Sequence, residues 1–347
     1  MLRIAYEEAL ERMTEGLLPY LEEADARHFA GIFAGNSLDG VHSHGMNRYA
    51  RYLSDMESGL CDAKVTRAER VSGFGALEVW DARGGVGPLI AEQMAERVIA
   101  LAKAHGIGCC ALRNNSHWLR AGRYGLMIAD AGLVGICFTN TCLNLAAWGV
   151  KAPSLGNNPV CMALPRKGGS LLMDMAVSQY AYGKLEIMAQ EGRMLPQPIG
   201  YDTQGRETCD PGEICKSGLM LPMALWKGNA LSVMLDLTAA ALSGGRTSCE
   251  IGPPSAGESR MSQVYIAVNP AAVNDFDAVL EKTEAAIRFL HDLPSEGGAG
   301  GVHAPGENLE KTRRQNREEG IPVTEITWQK ILEAAERGRR TRKEAEA

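Results

Sequence analysis

Apolar residues recur at three- and four-residue spacing along much of the chain, and this spacing predicts amphipathic helices. Two such helices open the chain. A third follows a short polar loop and stops at Gly59, a residue type that commonly ends a helix. The predicted helices cover about 6–22, 24–37, 46–59, 88–105, 119–131, 229–243, 276–292 and 324–338, and a Gly-rich connection, 294–305, separates the last two.

Short continuous apolar runs lie between these helices and predict buried β-strands. They cover 106–112, 133–139, 160–164, 171–176 and 263–268. Polar residues cluster where the first two strands stop, with His117 after one and Asn140 after the other. Ligands of α/β proteins bind at the ends of strands, so both residues are candidates for a functional site.

The composition is that of an ordinary globular protein. With 347 residues, of which 45% are hydrophobic, the chain can form two domains or one large one. The 36 basic and 42 acidic residues give a net charge of −6, which argues against nucleic-acid binding and against attraction to an anionic membrane. A basic run at 337–343 predicts only a solvated helix end.

No apolar stretch is long enough for a signal peptide or a membrane span, so we expect a cytoplasmic protein with no membrane partner. The nine cysteines include no Cys-x-x-Cys pair, and several of them lie within apolar runs. This pattern favours reduced, mostly buried thiols over disulfides or metal ligands.

The segment 40–49 places an imidazole and a guanidinium close together where a loop meets the helix that begins at Met46. Its residues are Gly-Val-His-Ser-His-Gly-Met-Asn-Arg-Tyr. A small anionic substrate at this helix start would meet unpaired N–H groups and Arg48, which can bind a carboxylate through two hydrogen bonds. Tyr52 shares a helix face with Arg48. His44 would stand beside the substrate as a proton donor, because a histidine near its ordinary pKa titrates around neutral pH.

Other interpretations of this segment remain open. Ser43 could be only the N-cap of the helix, with His44 a structural loop residue. His42, His44 and His117 could instead be three zinc ligands of a hydrolase, although no His-Glu-x-x-His spacing supplies a carboxylate base. A Ser43–His44 nucleophile pair is disfavoured, because adjacent side chains rarely face each other and no Gly-x-Ser-x-Gly turn is present.

Two nucleotide-binding motifs are incomplete in this chain. The segment 106–111 partly matches the dinucleotide fingerprint, but a helix precedes it and a strand is predicted within it, the reverse of the order that the fingerprint needs. The segment 183–185, Gly-Lys-Leu, lacks the upstream glycine and the hydroxyl residue of a P-loop. We therefore expect neither a Rossmann domain nor P-loop phosphoryl transfer.

Six motifs follow one another along most of the chain. They are Ser43-His44-Gly45-x-x-Arg48, Asn114-x-x-His117, Phe138-Thr-Asn-Thr141, Gly156-Asn-Asn-Pro159, Asp174-Met-Ala176 and Leu221-Pro-x-x-x-Trp-Lys227-Gly228. Together they resemble the type-2 malate/L-lactate dehydrogenase family of nicotinamide-dependent 2-oxo acid reductases. That family binds its cofactor without a Rossmann fold, so the incomplete fingerprint is what the resemblance predicts.

The resemblance implies an α/β protein with a non-Rossmann, mixed-sheet, three-layer domain and a helical domain built from the N- and C-terminal segments. The expected division is 1–72 plus 304–347 for the helical domain and 73–303 for the domain that binds cofactor and substrate. The resemblance also implies NAD(H), or alternatively NADP(H), as the cofactor. A small sugar acid is the expected substrate, a homodimer is the expected assembly, and no metal is expected.

The resemblance further implies roles for single residues. His44 would give a proton to the substrate carbonyl oxygen, Ser43 would orient the His44 imidazole, and Arg48 and His117 would hold the substrate carboxylate and nearby oxygens. The cofactor surface would comprise Ser170, Leu171, Leu172, Met173, Asp174, Met175, Ala176, Trp226, Lys227, Gly306, Glu307 and Asn308.

The substrate pocket that the resemblance implies adds five residues, namely Tyr52, Trp118, Arg120, Asn140 and Trp148. The tryptophans and Arg120 would suit a longer, hydroxyl-rich acid. Packing in the core or at a dimer interface is the alternative role for the tryptophans.

Three segments depart from the family pattern. Asn157 stands where threonine is usual, which keeps a hydrogen-bonding side chain. Lys184 follows Gly183 where some relatives have aspartate, so this position supplies no carboxylate partner for His44. The pair Glu307-Asn308 replaces His-Glu, which weakens the cofactor contacts expected there.

Overall fold

The computed structural model describes residues 1–294 and 302–346. Within these ranges the strands are β1 (Leu2–Ile4), β2 (Glu69–Phe74), β3 (Leu77–Asp81), β4 (Ile107–Asn115), β5 (Val134–Thr139), β6 (Leu145–Ala146), β7 (Pro153–Leu155), β8 (Val160–Arg166), β9 (Gly169–Met175), β10 (Gly200–Tyr201), β11 (Glu207–Thr208), β12 (Met261–Val268) and β13 (Ile321–Val323).

The first three helices follow β1, and the others are interspersed among the later strands. They are α1 (Tyr6–Leu17), α2 (Glu23–Leu38), α3 (Met46–Glu57), α4 (Gly87–His105), α5 (Ala121–Asp130), α6 (Tyr182–Gln190), α7 (Pro211–Ser217), α8 (Trp226–Ser243), α9 (Ser248–Ile251), α10 (Phe276–His291), α11 (Asn308–Glu319) and α12 (Glu325–Glu346). Short 3-10 turns cover His42–His44, Pro254–Ala256 and Pro270–Ala272. Most of the predicted Gly-rich connection, 295–301, lies outside the described residues.

A seven-stranded sheet forms the centre of the α/β part, in the order β2-β3-β4-β12-β5-β8-β9. Strands β3 and β4 are parallel, and the other neighbouring pairs are antiparallel. Helices α4 and α5 pack on one face of the sheet, and α8 packs on the other. The predicted non-Rossmann, mixed-sheet, three-layer α/β fold is therefore confirmed.

A second core is built mainly from α1, α2, α3 and α12. Strand β1 pairs with β13, which ties the N-terminus to the segment that leads into α12. Phe29, Phe33, Tyr49 and Tyr52 meet inside this core at edge-to-face or tilted ring angles. The two chain ends thus share one core, while the division into domains stays a prediction.

Several helix boundaries differ from the prediction for local reasons. Helix α1 ends at Leu17 and not near residue 22, because Pro19 has no N–H to continue the helical hydrogen bonds. Helix α5 starts at Ala121 because Leu119 has a φ of +65°, which a helix does not allow. The sequence pattern missed β2 and α11, since β2 is exposed along its length and α11 buries only Asn316.

In the part of the chain that the structure describes, none of the helices is both long and apolar enough to cross a bilayer. All nine cysteines are free thiols, as the sequence predicted. Five of them are buried, and burial raises the pKa of Cys137 and Cys142. These thiols behave as small core residues with little thiolate character.

Candidate active site

The loop that carries His44 is fixed by the end of α2. The Asn36 side-chain amide donates to the His44 carbonyl oxygen at 2.9 Å, and the Ser37 hydroxyl accepts from the Met46 N–H at 2.8 Å. Because Ser37 satisfies this first N–H of α3, Ser43 is not the helix cap, and the cap interpretation is wrong.

The Ser43 hydroxyl lies 3.1 Å from Nδ1 of His44. This contact occupies one ring nitrogen and leaves Nε2 for a ligand, so the proposed orienting role of Ser43 is geometrically possible. On its other side Ser43 lies against the start of α6, where a Cβ added at Gly183 would be 2.8 Å from the Ser43 Cβ. The next side chain, Lys184, places its ammonium 5.1 Å from the centre of the Tyr180 ring.

His44 and His117 form a pair although they are far apart in sequence. Their rings are nearly parallel, 9° apart, with centroids separated by 5.7 Å. Nδ1 of His117 accepts the Leu119 N–H at 3.0 Å, so in the neutral ring the proton sits on Nε2. The positive φ of Leu119 makes this tight turn, and a strained residue beside a site is a common feature of functional loops.

Burial and positive charge lower the pKa of both histidines. Burial, followed by Arg48 and Arg120, lowers the pKa of His44 to about 4. Burial, Arg48 and His44 lower the pKa of His117 well below its usual value. The expectation of an ordinary pKa for His44 is therefore wrong for the protein without substrate. A carboxylate bound at Arg48 would offset the guanidinium charge and raise the pKa of His44 again.

The low pKa of His44 predicts a loss of stability in mild acid. The folded pKa of about 4 lies below the unfolded value of 6.5, so between these pH values the unfolded chain binds more protons and folding stability falls as pH falls. When the pH falls from 7 to 5, the low pKa of His44 should lower the free energy of unfolding by about 2 kcal/mol. Denaturant unfolding of the wild type and of His44→Gln at both pH values measures this difference. If the wild type and His44→Gln lost the same unfolding free energy between pH 7 and pH 5, His44 would not be a neutral imidazole with a lowered pKa in the folded protein.

Arg48 lies in a nearly closed environment beside the histidine pair. Burial lowers its pKa to about 10. Its Nη2 pairs with the Glu258 carboxylate, which also lies 3.4 Å from Nη2 of Arg51. The Nε atom of Arg48 is buried and has no hydrogen-bond acceptor among the described residues. A buried unpaired N–H is costly, so this edge of the guanidinium is suited to a ligand oxygen.

The three predicted cofactor segments converge at the edge strand β9. The Leu172 N–H donates to the Pro305 carbonyl at 3.1 Å, which places the start of α11 against this strand. Gly306 has a φ of +80°, and a Cβ there would meet Leu172 at 3.0 Å, so the close approach requires glycine. After the strand, Val177 accepts the Met223 N–H at 2.8 Å, three residues before Trp226.

Trp226 and Lys227 are the most accessible of these cofactor candidates. Two residues with positive φ, Ala224 and Leu225, form the turn that leads into α8, and the Trp226 side chain after them is 62% exposed. An exposed indole with an ammonium 6.0 Å from its ring centre suits a flat, phosphate-bearing molecule. The convergence of the segments and this exposed pair fit a nicotinamide cofactor.

Other members of the cofactor set have their side chains engaged within the protein. Ser170 donates to Asp130, and Glu307 accepts from the Ala304 N–H and contacts His291. Leu172 packs under α5, while Met173 and Met175 pack toward α8 on the other face of the sheet. Leu171 and Ala176 are partly buried, and Asn308 is the first residue of α11.

Arg120 is the buried centre of an ion-pair network that includes Asp174. Arg120 is 5% exposed; its Nη1 lies 2.6 Å from Asp39 and its Nε lies 3.3 Å from Asp174. Asp174 also accepts the Gly122 N–H at 2.9 Å, and Asp39 pairs with Arg313 at 2.7 Å. Nε and Nη1 of Arg120 are directed to carboxylates of the protein, which gives the side chain a structural role; its contact with substrate stays a prediction.

Trp118 and Tyr52 are likewise core residues, and their placement in the pocket is corrected. The Trp118 ring packs against Tyr124 and Tyr265 and is 2% exposed. The Tyr52 hydroxyl is 2.8 Å from the Ser116 hydroxyl and accepts the Gly87 N–H at 3.0 Å. Tyr52 therefore supports the segment before His117 from beneath, since residue 116 leads directly into the histidine.

Asn140 and Trp148 also differ from the prediction. Asn140 is fully buried, donates to Asp236 at 2.8 Å and accepts the Ser262 N–H at 2.8 Å, so it joins α8 to β12. Trp148 lies at the surface, 48% exposed, and its backbone N–H donates to Asn229. Neither side chain lies with the histidine pair.

Sequence reasoning missed Arg51 and Glu258. Arg51 lies three residues after Arg48 on the same helix, so helical spacing could have found it. Glu258 is 210 residues from Arg48 along the chain, and nothing in its local sequence pointed to the site.

The zinc alternative is not supported by the side-chain arrangement. Across residues 1–294 and 302–346, no three His, Cys, Asp or Glu side chains converge as metal ligands, and His42 does not join His44 and His117. The two paired histidines stack face to face near arginines, which repel a cation.

Comparison with known proteins identifies the class to which this fold and site belong. The malate/L-lactate dehydrogenase family model matches residues 4–332, and the chain belongs to this family. It is accordingly an oxidoreductase of the kind that interconverts 2-hydroxy and 2-oxo acids with a nicotinamide cofactor.

Individual relatives cover almost the whole chain. The 2,3-diketo-L-gulonate reductase of Citrobacter koseri is 36% identical over 335 residues, which is 95% of this chain and 99% of that protein. The malate dehydrogenase structure from Entamoeba histolytica superposes with a TM-score of 0.91 at 22% identity, covering 97% and 98% of the two chains. The malate dehydrogenase structure from Pyrococcus horikoshii gives a TM-score of 0.88 at 26% identity, covering 97% and 95%.

Proposed function

We propose that the protein reduces the 2-keto group of 2,3-diketo-L-gulonate to give 3-keto-L-gulonate, with NADH as the hydride donor. The observation that carries the reductase chemistry is the stacked His44–His117 pair beside Arg48, whose Nε has no acceptor among the described residues. A 2-oxo acid has a carbonyl and a carboxylate on neighbouring carbons, and this site offers a proton donor and a guanidinium in the same small space.

Each side chain has a defined task in this proposal. Arg48 binds the carboxylate, and the charge thereby neutralised raises the pKa of His44 toward neutrality. His44 then gives its Nε2 proton to the carbonyl oxygen, while Ser43 holds Nδ1. His117 donates its Nε2 proton as a hydrogen bond to a substrate oxygen.

The cofactor would be held by β9, the start of α11, and the Trp226–Lys227 pair. When bound, a reduced nicotinamide supplies hydride to the carbonyl carbon. The chain would contribute a flat indole surface at Trp226 and a positive charge for phosphate at Lys227. The choice of NADH over NADPH rests on the resemblance to the reductases. Among the described residues, no side chain is identified that would contact the ribose hydroxyl of NADH or the ribose phosphate of NADPH.

The choice of 2,3-diketo-L-gulonate rests on relatives such as the Citrobacter koseri reductase. Steady-state oxidation of NADH and NADPH, measured in parallel with diketogulonate, oxaloacetate, pyruvate and a cyclic imino acid, tests it. We expect kcat/KM for diketogulonate to exceed the others by at least about tenfold, a difference of about 1.4 kcal/mol in transition-state binding. Faster turnover of a simpler acid would overturn the proposed substrate but would remain consistent with the proposed reductase chemistry.

Replacing Arg48 with lysine should weaken binding of the acid selectively. A lysine keeps the charge but cannot offer two parallel N–H groups, so we expect KM for the acid to rise about 10- to 100-fold. KM for NADH should stay within about threefold, because the cofactor residues are elsewhere. Arg288→Lys, an exposed change on α10, is the control. Equal losses for acid and cofactor would remove Arg48 from the substrate site.

We further propose a cytoplasmic homodimer, on the strength of the family resemblance and the free cysteines. Trp148 is an exposed aromatic side chain, not assigned to the cofactor, that a second copy could cover. Sedimentation analysis of the purified protein tests the assembly. A monomer at micromolar concentration would overturn it.

A further inference from the structure

Glu258 lies in the connection between α9 and β12. It is 210 residues from Arg48 along the chain, but the fold brings its carboxylate to the candidate site. Its carboxylate and the Arg48 guanidinium are each about 15% exposed. A buried acidic group next to a proposed anion site is unexpected on charge grounds alone, because it would repel a substrate carboxylate. Its contacts therefore need a physical explanation.

A single oxygen of Glu258, Oε2, contacts Nη2 of Arg48 and lies 3.4 Å from Nη2 of Arg51. The two arginines are three residues apart, on successive turns of α3. Glu258 therefore bridges both guanidinium groups from one side. Together the three side chains carry a net charge of +1, and Asp55, which interacts with both guanidinium groups, offsets part of this charge.

The bridge leaves the Nε atom of Arg48 without a hydrogen-bond partner among the described residues. Glu258 occupies Nη2, while Nε is buried. A guanidinium commonly binds a carboxylate through two N–H groups that lie in its plane. An Arg48 side chain without its partner would be free to rotate, and each rotamer would point the Nε edge in a different direction.

We infer that Glu258 is a positioning residue for the reduction. It holds Arg48 by Nη2 so that the Nε edge of the guanidinium faces the carboxylate of the 2-oxo acid, and it keeps Arg51 beside Arg48 without leaving two unbalanced charges. This inference rests on the proposed function and adds Glu258 to the groups that determine substrate affinity. The alternative role, in which Glu258 competes with substrate for Arg48, makes the opposite prediction.

Glu258→Gln and Glu258→Ala distinguish the two roles. Glutamine keeps an oxygen that can accept from Arg48 but removes the charge, while alanine removes both. We expect KM for the acid to rise about tenfold in Glu258→Gln and further in Glu258→Ala, with kcat within about threefold of wild type and NADH affinity unchanged. Glu281→Gln, which removes an equal but exposed charge on α10, should match the wild type.

A lower KM in Glu258→Gln would show competition and overturn the inference, as would parallel losses of kcat and NADH affinity. Titration calorimetry with oxalate, an unreactive dicarboxylate, in the presence of NADH gives a second readout that needs no turnover. We expect about tenfold weaker oxalate binding to Glu258→Gln; equal binding to both proteins would overturn the inference. The proposed function fails separately, if the wild type reduces no 2-oxo acid.

Discussion

Replacing His44 with alanine is expected to lower kcat by about 100- to 10,000-fold, the range that positioned proton donors contribute. The substituted protein would have to protonate the carbonyl oxygen from water, because the Leu119 N–H fixes the His117 ring in an orientation that serves a different substrate oxygen. NADH affinity should change little, since the cofactor candidates lie along β9 and the start of α8. Steady-state kinetics and NADH fluorescence titration measure both quantities.

His42→Ala is the matched control, because His42 belongs to the same 3-10 turn but not to the stacked pair. It should retain kcat within about threefold. A His44→Ala protein with full kcat would show that the proton comes from another group. Comparable losses in both variants would instead indicate that the loop is merely distorted.

Replacing Arg120 with methionine is expected to lower the unfolding free energy by about 3 kcal/mol, the lower end of what breaking a buried ion pair costs. The change removes a buried cation from Asp39 and Asp174, which lie 2.6 Å and 3.3 Å from it. Asp39 keeps Arg313, and Asp174, whose side chain is 20% exposed, keeps the Gly122 N–H. Denaturant unfolding of the wild type and the variant measures the loss.

Arg193→Met provides the comparison, because Arg193 pairs with Glu191 at the surface with both side chains exposed. An exposed pair contributes at most about 1 kcal/mol, so this variant should unfold nearly like the wild type. Suppose that Arg120→Met lost as little unfolding free energy as Arg193→Met and instead raised KM for the acid. The substrate role predicted for Arg120 would then be right, and the structural role would be wrong.

The sequence singled out the candidate side chains because they stand at interruptions in regular patterns. His44 lies between two helical periodicities, and His117 follows an apolar strand; functional side chains are common in such loops. The central strands were also found, since β4, β5 and β12 are continuous apolar runs. Exposed β2 and polar α11 carry no such signal and could not be found this way.

Residue type alone could not decide which side chains line a pocket. Trp118 and Arg120 stand next to His117 in sequence, but the positive φ of Leu119 turns the chain between them and directs both inward. Asn140 follows a strand as His117 does, yet its amide joins α8 to β12. Glu258 shows the reverse case, since only the fold brings it to Arg48.

The reduction of a 2-oxo acid by His44 chemistry can be measured as the loss of NADH absorbance after such an acid is added to the wild type and to His44→Ala, with the 2-hydroxy acid product quantified in the same samples. We expect acid-dependent oxidation in the wild type, one 2-hydroxy acid formed for each NADH consumed, and a rate at least about 100-fold lower in the variant. No NADH or NADPH oxidation with any 2-oxo acid, or equal rates in the two proteins, would contradict this chemistry.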